Sequence, residues 1–428
     1  MKLLLKDVNL YNPDQNIDQK NTSVLLENGI IAEIGDIKTK DAKVYDLQSK
    51  YVVPGFFDMH VHLREPGRED EETVVTGSNA AANGGFTGIA CMPNTEPAID
   101  SAEIVKFIKE QAKSHLVDVY PIGAATVGRE GEILSPIAEL AEAGAVGLSD
   151  DGVAIKTSSI LRKVLEYSKM YNLPVIEHCE DETLADGVMN EGLNSTILGL
   201  PPLPSVSEDL IVSRDIQLAE YTKSFIHIAH ISTKTAVQFV REAKSKGIKV
   251  TAEVTPHHFS LTDDAVKTYD TNFKMNPPLR TREDVDAIIE GLKDGTIDCI
   301  ASDHAPHSIE EKEEEFQNAP NGILGLETLV GITLSELYHK KILTLKEIIE
   351  KLSVNPRKVL NLPVINFSVG EKANFTILDL DVVWTVDISK FKSKSRNSPF
   401  DKKLLNGNAV GVINNGQIYF NDELINIK

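Results

Sequence analysis

The stretch FFDMHVHLREPG, residues 56–67, places polar side chains at every second position, namely Asp58, His60, His62 and Arg64. Side chains two apart point to the same face of a β-strand, so a strand here would turn two imidazoles and a guanidinium toward one point. Imidazole nitrogen is a common ligand of zinc and other borderline divalent metals. The spacing therefore predicts a metal site with a fixed cation beside it.

Further metal-ligating residue types stand at the carboxyl ends of four later apolar runs, as Asp150 or Asp151, His178, His230 and Asp303. With His60 and His62 they make a set of four histidines and two or three carboxylates. Such a set suits two divalent ions, zinc above all, which lower the pKa of water to about 7 and polarise a carbonyl. The predicted chemistry is hydrolysis of a carbon–nitrogen or ester bond at a carbonyl, or its reversal. Asp303 could both bind metal and act as the general base.

Eight short apolar runs must carry these residues to one place, and helix-length amphipathic segments separate them. The runs cover residues 51–60, 86–92, 117–124, 145–151, 173–178, 224–230, 248–254 and 297–303. Near-continuous apolar strands alternating with helices are typical of a parallel sheet covered on both faces. Eight such units predict an α/β fold of the TIM (β/α)8 barrel type, whose active site lies where the strands end. An open doubly wound sheet is the alternative, but no glycine-rich phosphate loop follows the first run.

Both ends of the chain alternate like β-strands and carry hairpin turns, at Asn28-Gly29 and Asn415-Gly416. The two ends can pair with each other into one small sheet. We expect residues 1–51 and 367–428 to form a composite β domain beside a barrel of residues 52–366.

Charge and composition exclude several classes of partner. The chain has 428 residues and a formal net charge of −20, with a sequence pI of about 5.0. This acidity argues against nucleic acid or an anionic membrane surface as a partner, and an anionic substrate would need local cations. The three cysteines are far apart and predict reduced core thiols. No apolar run approaches the ~20 residues of a membrane span, and no signal peptide is evident, so we expect a cytoplasmic protein.

The candidate residues stand in motifs that resemble the dihydroorotase family of the amidohydrolase superfamily. These motifs are DMHVHLREPG (58–67), MPNTEP (92–97), DDG (150–152), EHCED (177–181), MNPPLR (275–280), DHAPH (303–307), APNGILGLET (319–328) and SKSRNSPF (393–400). The resemblance runs over nearly the whole chain. It implies a zinc enzyme that interconverts N-carbamoyl-L-aspartate and L-dihydroorotate, the third step of de novo pyrimidine synthesis.

The resemblance implies two zinc sites, the first held by His60, His62 and Asp303 and the second by His178 and His230, with Asp151 bridging them. Asp303 would also be the general base. Many members of the superfamily use a carboxylated lysine as the bridge, whereas here Lys156 lies five residues beyond Asp151. An aspartate bridge resembles the bacterial, monofunctional long-chain enzymes of the family.

The resemblance further implies a substrate site made by His62, Arg64, Asn94, Asn276, His307, Asn321 and Gly322. Arg64, Asn94 and His307 would bind the substrate carboxylate. Asn276 would contact the ring, and the backbone at 321–322 would bind the ring amide. From the residues alone, Arg64 could equally pair with Glu65 or Glu69. The two asparagines could simply form turns beside proline, and Asn321 replaces the bulkier apolar residue expected there.

Other functions stay open at this point. A hydantoinase or allantoinase is the first alternative, although the aspartate bridge and Arg64 speak against it. A non-catalytic barrel that partners aspartate transcarbamoylase is the second, although such a barrel is expected to lose metal ligands. A homodimer and an association of the active enzyme with aspartate transcarbamoylase are both compatible with the sequence. Two long irregular stretches, 180–207 and 304–326, are candidates for loops that close over substrate.

Overall fold

The computed structural model describes residues 1–428 and contains nineteen β-strands. In chain order these are β1 Lys2–Asn12, β2 Ile17–Glu27, β3 Ile30–Gly35, β4 Lys43–Pro54, β5 Phe56–Val61, β6 Phe86–Cys91, β7 Asp118–Pro121, β8 Gly123–Ala124, β9 Leu148–Ser149, β10 Val175–Glu177, β11 Met189–Asn190, β12 Pro202–Leu203, β13 Ile226–Ile228, β14 Val250–Val254, β15 Cys299–Ile300, β16 Phe375–Thr385, β17 Leu404–Asn414, β18 Gln417–Phe420 and β19 Glu423–Asn426.

Thirteen α-helices accompany the strands. They are α1 Val74–Gly84, α2 Ala102–Ala112, α3 Ile137–Ala143, α4 Ser158–Ser168, α5 Leu193–Leu198, α6 Val206–Thr222, α7 Lys234–Ser245, α8 Pro256–Ser260, α9 Arg282–Asp294, α10 Ile309–Lys312, α11 Leu329–Thr333, α12 Leu345–Ile349 and α13 Asn355–Val359. A π-helical segment, Leu334–Tyr338, extends α11, and another, Glu350–Val354, joins α12 to α13.

The two ends of the chain form one eight-stranded sheet, in the order β19-β18-β17-β16-β4-β1-β2-β3. The antiparallel pairing of β4 with β16, which sets Val53 opposite Thr376, joins the N-terminal strands to the C-terminal ones. The predicted turns lie between paired strands, and their residues have positive φ angles, as the two-residue turn of a hairpin requires. A separate apolar cluster of sixteen buried residues, including Leu5, Val24 and Phe375, stabilises this sheet.

The central part of the chain is built from parallel strands with intervening helices. All eight predicted runs contain a strand, and these strands form two parallel sheets, β5-β6-β7 and β8-β9-β10-β13-β14-β15. The prediction of an α/β fold with a parallel sheet is therefore confirmed. The stretch 180–207, expected to be irregular, contains the short elements β11, α5 and β12 and the start of α6.

Threonines begin several of the central helices, and glycines end them. Thr73, Thr157 and Thr281 each accept a hydrogen bond from a backbone N–H in the first turn of α1, α4 and α9. Gly85 and Gly144 follow α1 and α3 with φ angles of 96° and 103°, which a residue with a side chain rarely adopts. These local signals explain why helices form in the amphipathic segments between the apolar runs.

Apolar side chains fill both sides of the central strands. The largest cluster has 72 buried residues between strands and helices, and a smaller cluster of eleven includes Phe57, Met59, Ile176 and Cys299. All three cysteines are buried and unpaired, as predicted. None of the helices combines the length and the apolar character that crossing a bilayer requires.

Candidate active site

Five strand ends bring the predicted ligands into one cleft. His60 lies in β5, and His178 follows directly after β10. Each of the remaining ligands lies within three residues of the end of a strand. His62 follows β5, Asp151 follows β9, His230 follows β13 and Asp303 follows β15. All six are buried. Parallel strands end at the same edge of a sheet, so residues far apart in the chain meet here.

The backbone at the cleft is unusual. His230 and Asp303 have φ angles of 29° and 49°, and Arg64 has a φ of 60°. Side chains other than glycine rarely occupy this left-handed region, and such conformations cluster at functional sites. Strand β5 itself ends at Val61 and shifts register between Asp58 and Val61. The expectation that one regular strand would align residues 58 to 64 is therefore wrong, since a register shift and a turn bring His60, His62 and Arg64 together.

The ligand atoms of the first group are close together. The Nε2 atom of His62 lies 2.9 Å from Oδ1 of Asp303, and Nε2 of His60 lies 3.6 Å from the same oxygen. The Oδ1 atom of Asp151 lies 3.4 Å from Nε2 of His60 and 3.6 Å from Nε2 of His230. Asp151 therefore stands between the first-strand histidines and the later ones, in the place that a bridging ligand would take.

The second pair of histidines, His178 and His230, faces the same oxygen of Asp151. The Nδ1 atom of His178 lies 3.0 Å from Nε2 of His230 and 3.9 Å from Oδ1 of Asp151. Four buried atoms of the cluster have no hydrogen-bond partner: Nε2 of His60, Oδ1 of Asp151, Nε2 of His178 and Nδ1 of His230. An unpaired buried polar atom costs about 1–3 kcal/mol, and a bound ion is one of the explanations it calls for. Imidazole and carboxylate donors with free lone pairs fit divalent metal.

The two carboxylates of the cluster stay charged. Burial by itself would raise their pKa values, but nearby histidines outweigh it. His60 and His230 hold the pKa of Asp151 well below its usual range, and His62 and His60 do the same for the pKa of Asp303. Both groups are thus available as anionic ligands at neutral pH.

Asp150 and Asp151 differ in what they contact. The carboxylate of Asp150 accepts hydrogen bonds from N and Oγ1 of Thr126, at 2.9 and 2.6 Å, and so braces the preceding loop. Lys156 is exposed and takes no part in the cluster. Of the two adjacent aspartates, Asp151 is the one that faces the histidines.

Further buried groups orient the ligands. The Nδ1 atom of His60 lies 2.6 Å from Oε1 of Glu253 on β14, whose other oxygen lies 3.4 Å from Nε2 of His227. Asp58 accepts hydrogen bonds from the backbone N–H groups of His60 and Ser302 and so ties the end of β5 to the end of β15. Glu253 was not among the predicted residues; a lone carboxylate within the apolar run 248–254 is the signal that could have found it.

The three residues predicted to bind the substrate carboxylate, Arg64, Asn94 and His307, line the same cleft. The Nη2 atom of Arg64 lies 3.3 Å from Nε2 of His307, and Oδ1 of Asn94 lies 2.7 Å from Nδ1 of His62. The acid partner of Arg64 is Glu71, at 3.1 Å, rather than Glu65 or Glu69. The Nη1 atom of Arg64 and the amide nitrogen of Asn94 make no hydrogen bond within the protein and are left to meet a ligand.

The remaining predicted contacts line the same cleft, which has a volume of about 190 Å³. Pockets for drug-sized ligands are typically about 300–1,000 Å³, so the cleft suits a small metabolite. The Oδ1 atom of Asn276 is buried without a partner. Gly322 donates its N–H to the carbonyl of Lys274, and its own carbonyl accepts from Lys312 and Asn397. Both polar backbone groups of Gly322 are thus engaged within the protein, and the carbonyl of Asn321 lies 2.8 Å from Nε2 of His307.

Comparison with known proteins points to one family. Residues 49–236 match the family model described as Dihydro-orotase-like. A protein from Acetivibrio thermocellus named dihydroorotase is 49% identical over 426 residues, which cover 99% of this chain and 100% of that protein. A dihydroorotase from Endomicrobium trichonymphae is 50% identical over 98% of this chain and 99% of its own. Among solved structures, the L-hydantoinase (dihydropyrimidinase) of Arthrobacter aurescens superposes with a TM-score of 0.86 at 26% identity, covering 99% of this chain and 97% of that one.

Proposed function

Since the chain belongs to the dihydroorotase family, we propose that its cleft binds two divalent metal ions and a dihydroorotate ring. The enzyme is a metal-dependent cyclic amidohydrolase that interconverts N-carbamoyl-L-aspartate and L-dihydroorotate. The observation that carries the metal assignment is that six buried ligand side chains meet in one cleft and four of them have a polar atom without a hydrogen-bond partner.

We assign His60, His62 and Asp303 to one ion and His178 and His230 to the other, with Asp151 between them. The ligand atoms of His60, His62 and Asp303 all lie within 4.8 Å of one another, as do those of His60, Asp151 and His230. Four imidazoles among six donors favour zinc. Bound there, the ions supply acidified water and polarise the amide carbonyl.

The proton transfers of the reaction are assigned to a side chain of the protein, Asp303. Asp303 is ionised and keeps 10% of its side chain exposed to the cleft, whereas that of Asp151 is 3% exposed. The carboxylate of Asp303 can therefore act first as a general base, which accepts the proton of the attacking water. It can then act as a general acid, which returns the proton to the ring nitrogen that leaves. The reverse sequence closes the ring.

Arg64, Asn94 and His307 form the site for the substrate carboxylate. The chain is strongly acidic, so the guanidinium is the local cation that an anionic substrate needs. Asn276 contacts the ring from the side of His178, because its amide lies near Glu180, which in turn lies 3.8 Å from Nε2 of that histidine. Arg64 and Asp151 together favour this substrate over the neutral ring of a hydantoinase. The complete ligand set argues against a non-catalytic barrel.

We also infer that the parallel strands, with β7 and β8 counted as one, close into an eight-stranded TIM barrel of residues 52–366, beside a β domain of residues 1–51 and 367–428. Support comes from the junctions between the two parallel sheets. Strands β7 and β8 are separated by a single residue, and beyond β15 the chain at His304 forms a parallel bridge with Val61. Association with a second copy or with aspartate transcarbamoylase stays a prediction, which size-exclusion chromatography alone and with that enzyme would test.

The test is ring opening of L-dihydroorotate by the zinc-loaded protein, followed by the loss of its ultraviolet absorbance. Asp303→Asn keeps the size of the side chain, and we expect turnover to fall by about 10²- to 10⁴-fold, the usual contribution of a general base. Metal content is measured on the same samples. Two ions per chain without turnover would point to a different cyclic amide, and a chain with neither metal nor turnover would point to the non-catalytic barrel.

A further inference from the structure

One buried carboxylate outside the metal cluster contacts two donor side chains of the cleft, Arg64 and His307, and a third outside it, Arg68. Glu71 lies in the loop between β5 and α1, and its side chain is 2% exposed. Its Oε2 atom lies 3.1 Å from Nε of Arg64. Its Oε1 atom lies 3.2 Å from Nη2 of Arg68 and 3.0 Å from Nδ1 of His307. None of the roles assigned so far uses this group.

Glu71, His307 and Glu311 together have the composition of a metal site. Two guanidinium groups already neutralise it, however, because Arg68 also lies 2.8 Å from Glu311. A cation added between two arginines would meet strong repulsion. The cluster is therefore complete as a network of ion pairs without a metal ion. Its effect on function then depends on how it orients Arg64 and His307.

Glu71 constrains how Arg64 and His307 face the cleft. The Nε–H of Arg64 is directed to Glu71 and to the carbonyl of Pro306, 3.1 Å away, so the terminal nitrogens point elsewhere. With Nδ1 of His307 against Glu71, its Nε2 edge is turned to Arg64 and to the carbonyl of Asn321. A guanidinium recognises a carboxylate through two parallel N–H groups, which demands a fixed plane.

We propose that Glu71 is a positioning residue that aligns Arg64 and His307 for the carboxylate of the substrate. It thereby sets the preference for cyclic amides that carry a carboxylate over neutral ones. The inference rests on the proposed function.

Charge and geometry make opposite demands on this residue, which makes the idea testable. Removing a negative charge beside an anion site should strengthen anion binding if charge alone matters. Removing a positioning group should weaken it, because Arg64 and His307 then lose the contact that orients them. Glu71→Gln keeps the size of the side chain and removes the charge, so the sign of the change in KM separates the two effects.

The experiment measures kcat and KM of the zinc-loaded enzyme for L-dihydroorotate and for its neutral carboxamide analogue. For Glu71→Gln we expect KM for dihydroorotate to rise about tenfold or more, with kcat changed by less than about threefold, because a hydrogen bond to a charged group is lost. The value of kcat/KM for the carboxamide should stay within about twofold of wild type. Asp70→Asn is the matched control, since Asp70 contacts Arg68 but neither Arg64 nor His307 and is 59% exposed. Its KM should not change.

A KM for Glu71→Gln that is equal to or below that of wild type would overturn the proposal, and so would an equal loss for the acid and the carboxamide. Glu71→Asp keeps the negative charge on a side chain that is shorter by one methylene group. It provides a second test in case Glu71→Gln does not fold. It should raise KM at least about threefold, because one carboxylate can no longer reach both partners; an unchanged KM contradicts the role of Glu71. Lack of turnover by the wild-type chain would instead contradict the proposed function, and this inference with it.

Discussion

Replacement of Glu253 by glutamine should weaken metal binding without unfolding the protein. Glu253 and His60 are both fully buried, and their facing atoms are 2.6 Å apart. Burial alone would raise the pKa of Glu253, but His60 and His227 outweigh it and lower the pKa to about 2. The variant therefore removes a real charge, and with it the strong acceptor that orients the ring of His60 and makes it a better ligand.

The size of the effect follows from that contact. A hydrogen bond to a charged group contributes about 1.5–3 kcal/mol, and each 1.4 kcal/mol is a factor of ten in an equilibrium constant. We expect metal affinity to fall by about 10- to 100-fold, which is the usual cost of losing a partner of a metal-bound histidine. Competition with a chromophoric zinc chelator measures the affinity, and urea unfolding of the metal-free protein measures stability.

Glu177→Gln supplies the matched control. Glu177 is also buried in a parallel strand, but it accepts from the backbone N–H of Ile155 and contacts none of the ligand histidines. Burial, reinforced by Asp215, raises the pKa of Glu177 well above the usual range. Zinc affinity of this variant should stay within about threefold of wild type. An affinity of Glu253→Gln within the same limit, or an equal loss in the control, would refute the reasoning.

Three further outcomes are expected. Asp151→Asn should lose most bound zinc, whereas Asp150→Asn should keep its zinc and unfold at a lower temperature, because Asp150 accepts hydrogen bonds from Thr126. Elemental analysis measures the zinc content and thermal unfolding the stability of each variant. Equal zinc loss in the two variants would contradict the assignment of Asp151. Arg64→Met should raise KM for dihydroorotate at least about tenfold in steady-state assays, and an unchanged KM would remove it from the carboxylate site. Burial lowers the pKa of Lys312 to about 7, so the folded chain binds fewer protons than the unfolded one between about pH 7 and pH 10, and stability rises with pH across that window. Urea unfolding at both ends of the window should show a rise in wild type that is smaller in Lys312→Met; equal rises in the two proteins would argue against it.

Much of the candidate site could be predicted because its signals are local. His178 directly follows a three-residue strand, and His60 and His62 share one short stretch, so an apolar run with a polar end is enough to find each of them. Their meeting follows from a general property of parallel strands, which end at the same edge. The helices were similarly accessible through caps such as Thr281 and through their apolar periodicity.

The partners of these residues could not be predicted in the same way. From the residues alone, an ion pair with Glu65 or Glu69 was the alternative for Arg64, but the turn at Arg64 directs those two carboxylates to the backbone N–H groups of Val74 and Gly67. Glu71 reaches Arg64 instead. Spacing along a strand is informative only while the strand is regular, and β5 is not.

The amino-acid sequence by itself determined which side chains stand at strand ends and hence which chemistry is possible, because residue type and strand periodicity are properties of short segments. Only the tertiary structure decided that Asp151 rather than Asp150 faces the histidines, that Glu253 supports His60, and that Glu71 supports Arg64. Those choices depend on contacts between segments as far apart as 193 residues. Their geometry is set by how whole strands and loops pack, and a local pattern carries no information about it.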